Sequence, residues 1–131
     1  MTVGLGEGAG ASTTLLVALA GATGAVLRYR LGVLVGVRSF PWATLSINLS
    51  GSFLLALVLA GPATNRWSTA TTVAVAVGLL GAYTTFSTFG YETFTLIRAD
   101  RLGVAAGYVV ASVLGGLAAT ALGYAAGREL A

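Results

Sequence analysis

Gly81-Ala82-Tyr83-Thr84-Thr85-Phe86-Ser87-Thr88-Phe89 stands near the centre of a 31-residue run, residues 67–97, whose one charge is Glu92. A helix crosses the hydrocarbon core with about 20 residues, so the run is longer than one straight span requires. Hydroxyls and rings at its middle have no use facing lipid. Gly78, Gly81 and Gly90 offer places to interrupt the helix. Backbone released from helical bonding at membrane depth must find other partners, either buried protein groups or an ion. The stretch therefore predicts a discontinuous helix built around a polar or ionic site.

The rest of the chain is of the same kind. Of 131 residues, 56% are hydrophobic and 8% charged, a composition no ordinary soluble domain shows. Apolar stretches cover about residues 13–37, 41–61, 67–97 and 102–127 and consume most of the length. The expected architecture is an all-α, single-domain unit of four transmembrane helices with the third broken, in a cell membrane. Four helices hardly enclose a pathway alone, so an oligomer is expected. Residues 1–12, small and Gly-rich, form a lead-in; with Glu7 and no Lys or Arg before Arg28, the polarity is wrong for a cleaved signal peptide, so the first span is expected to be retained.

There is no cysteine or histidine, which removes disulfides, thiolate metal sites and histidine chemistry. No nucleophile–base set or phosphate loop is visible, so an enzyme is not expected. Seven arginines are scattered singly, where a nucleic-acid surface would need them clustered. With four spans, Arg30, Arg38, Arg98 and Arg101 fall on one face and Arg66 and Arg128 on the other, a weak positive-inside bias.

Small residues recur at helical spacing: Gly21 and Gly24, and the G-x-x-x-G pairs Gly32/Gly36, Gly103/Gly107 and Gly123/Gly127. They let backbones approach closely, within the fold or across a dimer. In the second span Thr44 and Asn48 share a face, as do Ser46 and Ser50. The plain role of all four is helix-to-helix hydrogen bonding; Asn48 suits that or a pathway, whereas the serines read as interhelical bonding. Phe86 and Phe89, spaced i, i+3, point one way, and Glu92 continues that face. An intramembrane carboxylate is functional or paired by default; Arg28, Arg98 or a protein N–H could serve as partner. Arg28 itself can snorkel to the interface or stand buried as a fixed positive charge. Tyr108 and Ser112 form an i, i+4 stripe continued by Gly116. Exposed carbonyls near Gly81 and Thr84 would suit a cation, while hydroxyls and electropositive ring edges would suit an anion.

Taken together, G-A-T-G-A-V-L-R-Y at residues 21–29, the Pro41, Thr44, Asn48 and Gly51 framework, and T-T-F-S-T-F at residues 84–89 followed by Glu92 resemble the Fluc, or CrcB, family of small fluoride channels. The resemblance touches three of the four spans. It implies passive export of fluoride, relieving its cytoplasmic toxicity, through an antiparallel dual-topology dimer with two pores. That dimer would be a homodimer or a heterodimer with an oppositely oriented paralogue. It further implies a structural, non-transported Na+ held by the Gly81 and Thr84 carbonyls of both subunits. Phe86 and Phe89 would be the pore phenylalanines, Asn48 the pore amide, and Thr85 or Ser87 hydroxyl partners. Tyr108 and Ser112 would form a polar track, with Arg28 and Glu92 as supporting polar positions. The chain departs from the family at Ala82, Tyr83 and Gly116, where glycine, phenylalanine and a hydroxyl residue are common.

Two rivals belong to other classes. A four-span proton-coupled drug antiporter needs a titrating carboxylate, for which Glu92 is the one candidate within a span. A non-transporting membrane subunit would use its serines and glycines for packing alone.

Overall fold

The computed structural model describes residues 10–131. The lead-in expected over residues 1–12 lies outside the described residues up to position 9, while Ala11 and Ser12 already belong to the first helix. The described chain is all-helical: α1 (Ala11–Val35), α2 (Trp42–Ala60), α3 (Pro62–Asn65), α4 (Thr69–Val73), a π-helical run (Ala74–Leu80), α5 (Gly81–Tyr83), α6 (Phe86–Arg98) and α7 (Leu102–Arg128). Four spans are long and apolar enough to cross a membrane: Ala11–Val35, Trp42–Asn65, Thr69–Arg98 and Leu102–Arg128. Their large apolar side chains, Leu19, Leu34, Leu117 and Leu122 among them, point outward as those of a lipid-bathed bundle do. This is a multi-pass membrane protein.

The helices start and stop for local reasons. Pro41, with no N–H to satisfy, is the N-cap of α2 and its carbonyl accepts from Leu45 N–H at 3.1 Å. Ser68 caps α4 by accepting from Thr71 N–H. At the far end of α6, Arg101 N–H donates to the Leu96 carbonyl and Asp100 N–H to that of Ile97, each at 3.0 Å. Asp100 there has φ 56, so the turn into α7 is a Schellman closure with aspartate in the left-handed position that glycine usually fills.

Packing divides the spans into two pairs, α2 against α7 and α1 against the π-helical run and α5. Glycines set both distances. A Cβ on Gly123 would stand 2.1 Å from the Phe53 carbonyl oxygen, and one on Gly24 would stand 2.1 Å from that of Leu79. The Gly123/Gly127 pair is thus absorbed within the fold, whereas Cβ atoms at Gly32, Gly103 or Gly107 would meet nothing within 4 Å among the described residues.

Candidate functional site

The third span changes character at Thr84 and Thr85. Their dihedrals are extended, φ −78, ψ 159 and φ −152, ψ 109, between helical Tyr83 and helical Phe86. The three glycines singled out in the sequence are not where this happens. Gly78 lies in the π-helical run, Gly81 has helical φ −64, ψ −38, and Gly90 lies inside α6. Gly78 instead serves packing, since a Cβ there would approach the Val17 carbonyl oxygen to 2.8 Å.

Side-chain groups replace the helical bonds that the two threonines forgo. Asn48 grips the backbone of Thr85 like a neighbouring strand: Thr85 N–H donates to Asn48 Oδ1 at 2.8 Å, and Asn48 Nδ2 donates to the Thr85 carbonyl at 3.1 Å. Thr85 is itself 7% exposed, so both groups would be orphaned without the amide. Its own hydroxyl caps α6, accepting from Thr88 N–H at 3.2 Å and donating to Thr88 Oγ1 at 2.9 Å. Two carbonyls lose their helical donors by this arrangement. The N–H groups of Thr85 and Thr88 would bond Gly81 and Thr84 in a continuous helix, and both are committed to side-chain oxygens instead. On α2, Gly51 leaves the room this requires: a Cβ there would come within 2.2 Å of Thr84 Cγ2.

A turn and more along α6, Glu92 is held by hydroxyls rather than by Arg28, Arg98 or a protein N–H. Thr44 Oγ1 donates to Oε1 at 2.9 Å and Tyr108 OH to Oε2 at 2.7 Å. Tyr108 is 0% exposed, and its ring meets Phe40 and Phe89 edge-on at 5.5 and 5.2 Å between centroids. Phe86 stands 5.6 Å from Phe89 but is 82% exposed in the single chain.

A cavity of about 310 Å³ brings together Asn48, Gly81, Thr84, Thr85, Phe86, Phe89 and Ser112. The buried Ser112 Oγ in its wall has no hydrogen-bond partner among the described residues. Four expected site residues, Tyr108, Ser87, Arg28 and Glu92, stand apart from this cavity. Tyr108 has spent its hydroxyl on Glu92; Ser87, exposed, reaches it only through the Thr85 hydroxyl at 3.3 Å; Arg28 lines a second cavity with Glu92 and Thr44. Thr85 lines both cavities.

Thr44 makes an interhelical bond of the kind expected of it, while Thr88 carries structural work that the residue reading did not give it. The signal for Thr44 was its shared face with Asn48, since both reach the third span. For Thr88 it was the position three residues after a threonine, the spacing of an N-cap. Ser50 donates to the Ser46 carbonyl of its own helix at 2.7 Å and meets Tyr83 OH at 2.9 Å, an interhelical contact of the kind expected of the serines.

Comparison with known proteins adds a family. The profile of CrcB-like protein, Camphor Resistance (CrcB), matches residues 15–124. A Fluoride-specific ion channel FluC of Thermus thermophilus is 44% identical over 119 residues, covering 88% of this chain and 95% of that protein. A Fluoride-specific ion channel FluC 2 of Geobacillus kaustophilus is 44% identical over 121 residues, covering 87% and 92%. A Fluoride-specific ion channel FluC of Bordetella avium is 41% identical over 112 residues, covering 85% and 89%.

Proposed function

Because this chain belongs to the CrcB family, we propose that it is a fluoride-specific channel, passively lowering cytoplasmic fluoride. The observation that carries the reading is the cavity that gathers the Asn48 amide, Thr85 and the two phenylalanines with Ser112, whose buried hydroxyl has no partner among the described residues. A buried donor without an acceptor costs about 1–3 kcal/mol, and a small anion relieves that cost. Fluoride is compact and strongly hydrated, so its path must offer donors close together. Ser112 supplies an O–H, Asn48 Nδ2 keeps one N–H beyond that given to Thr85, and the edges of Phe86 and Phe89 are electropositive. Glu92, the carboxylate nearest in sequence, has both oxygens turned to hydroxyl donors.

The break in the third span, in this reading, builds a second site. Gly81 and Thr84 carbonyls freed of their helical donors suit a hard cation. Among the described residues no cluster of acids, histidines or cysteines could hold a metal; neutral oxygens alone suit a monovalent ion, and Na+ is the one proposed, structural and not transported. Two carbonyls make half a coordination shell, and an antiparallel second copy supplies the other half. The 82% exposure of Phe86 and the unpacked Gly103/Gly107 face are surfaces such a copy would cover.

Purified protein in liposomes should pass electrical fluoride current and exclude chloride. Absence of fluoride current, or chloride current of equal size, defeats the proposal. Phe86→Ile or Phe89→Ile should impair conduction while the dimer persists, and replacing sodium throughout purification and assay should reduce activity.

A further inference from the structure

The larger cavity, about 820 Å³, opens at the end of the bundle where the α1–α2 connection and the α6–α7 turn meet, and it is amphipathic. Arg38 lies in that connection, Arg101 follows the turn, and Arg28 stands seven residues inside the end of α1, roughly 10 Å deeper at helical rise. Phe40, Trp42 and Ile47 form part of the apolar wall. Among the described residues none of the three guanidinium groups is engaged by a carboxylate, and the one side-chain bond they make is from Arg38 Nε to the Val35 carbonyl at 3.1 Å. The one carboxylate in the wall, Glu92, already accepts from Thr44 and Tyr108. The cavity thus gathers a net positive charge at interfacial depth, beside apolar surface, in a protein that spans the bilayer.

We propose that this cavity binds an anionic phospholipid, its phosphate held by Arg28, Arg38 and Arg101 and its proximal acyl chain laid against Phe40, Trp42 and Ile47. Guanidinium forks match phosphate geometry, and basic pockets between transmembrane helices are where acidic headgroups lodge. Charge selects the headgroup, while the apolar wall selects a lipid over a free anion. The proposal rests on the cavity's charge and apolar wall, and the lipid would lie beside the smaller cavity, with which this one shares Thr85.

Trp42 in the wall is a built-in reporter once Trp67 is replaced by phenylalanine. That variant is reconstituted in phosphatidylcholine vesicles containing increasing fractions of acyl-brominated phosphatidylglycerol. A parallel series carries brominated phosphatidylcholine. The expected result is quenching of Trp42 at much lower fractions of brominated phosphatidylglycerol than of brominated phosphatidylcholine. Adding Arg38→Gln and Arg101→Gln should shift half-quenching about thirtyfold, taking about 1 kcal/mol per arginine. Arg66→Gln with Arg128→Gln removes the same charge from the opposite end and should leave half-quenching unmoved. Equal quenching by the two lipids overturns the proposal, as it would if a second copy of the chain filled the cavity. So does an unshifted Arg38/Arg101 variant, an equal shift in the Arg66/Arg128 variant, or displacement by excess inorganic phosphate, which would mark an aqueous anion site.

Discussion

Replacing Asn48 by alanine removes, in one step, both hydrogen bonds that hold Thr85 in its extended conformation. Buried backbone groups left unpaired cost about 1–3 kcal/mol each, so orphaning the two of Thr85 costs roughly 2–6 kcal/mol if Thr84 and Thr85 stay extended. The chain has a cheaper refuge. Thr85 N–H can return to the Gly81 carbonyl four residues back, which straightens the third span and dissolves the cavity. Asn48→Ala should therefore fold with a lowered thermal midpoint in detergent and conduct no fluoride in liposomes. Asn48→Asp keeps the acceptor for Thr85 N–H but gives up the donor to its carbonyl and adds negative charge to the cavity. It should lose less stability than the alanine variant and still fail to pass an anion. Wild-type conduction together with an unchanged midpoint in Asn48→Ala would refute the claim that this amide maintains the extended pair.

Four further expectations can be measured in the same way. Ser112→Ala removes an unpartnered buried hydroxyl, so thermal stability should hold or rise by up to about 1 kcal/mol while fluoride flux falls. Tyr108→Phe keeps the ring contacts and deletes the 2.7 Å bond to Glu92; leaving a carboxyl oxygen without its donor should cost about 1–3 kcal/mol in unfolding experiments. Gly24→Ala forces α1 off the Leu79 carbonyl and should destabilise by about 1–3 kcal/mol, whereas Gly32→Ala, facing open space, should not. Gly116→Ser also meets nothing within 4 Å and should fold normally; a rise in flux in the liposome assay would show that a hydroxyl is missed at this position.

The four spans were legible because apolar length is a local property: four apolar stretches of sequence correspond to the four helices long and apolar enough to cross a membrane. So was a demand for polar partners in the third span. The position of the extended pair was not legible, because glycine only permits a departure from helix, while Asn48 on another helix creates one. The partners of Glu92 were equally hidden. Opposite charge made Arg28 and Arg98 the obvious candidates, but two hydroxyls come within reach only once α2 and α7 have packed around α6. Likewise the sequence shows three G-x-x-x-G pairs without ranking them, and only packing tells Gly123 and Gly127, pressed on α2, from Gly103 and Gly107.

Two close-packed halves make up the bundle, α1 with the π-helical run and α2 with α7, and the third span begins in one and ends against the other. Thr84 and Thr85 lie at the crossing. Any sliding of one half past the other must be taken up there, since glycine-to-carbonyl contact within each half leaves no slack. The Asn48 amide then acts as a rivet across a seam, fixing the register of the two halves while the walls of the cavity take their shape from the side on which each residue happens to lie.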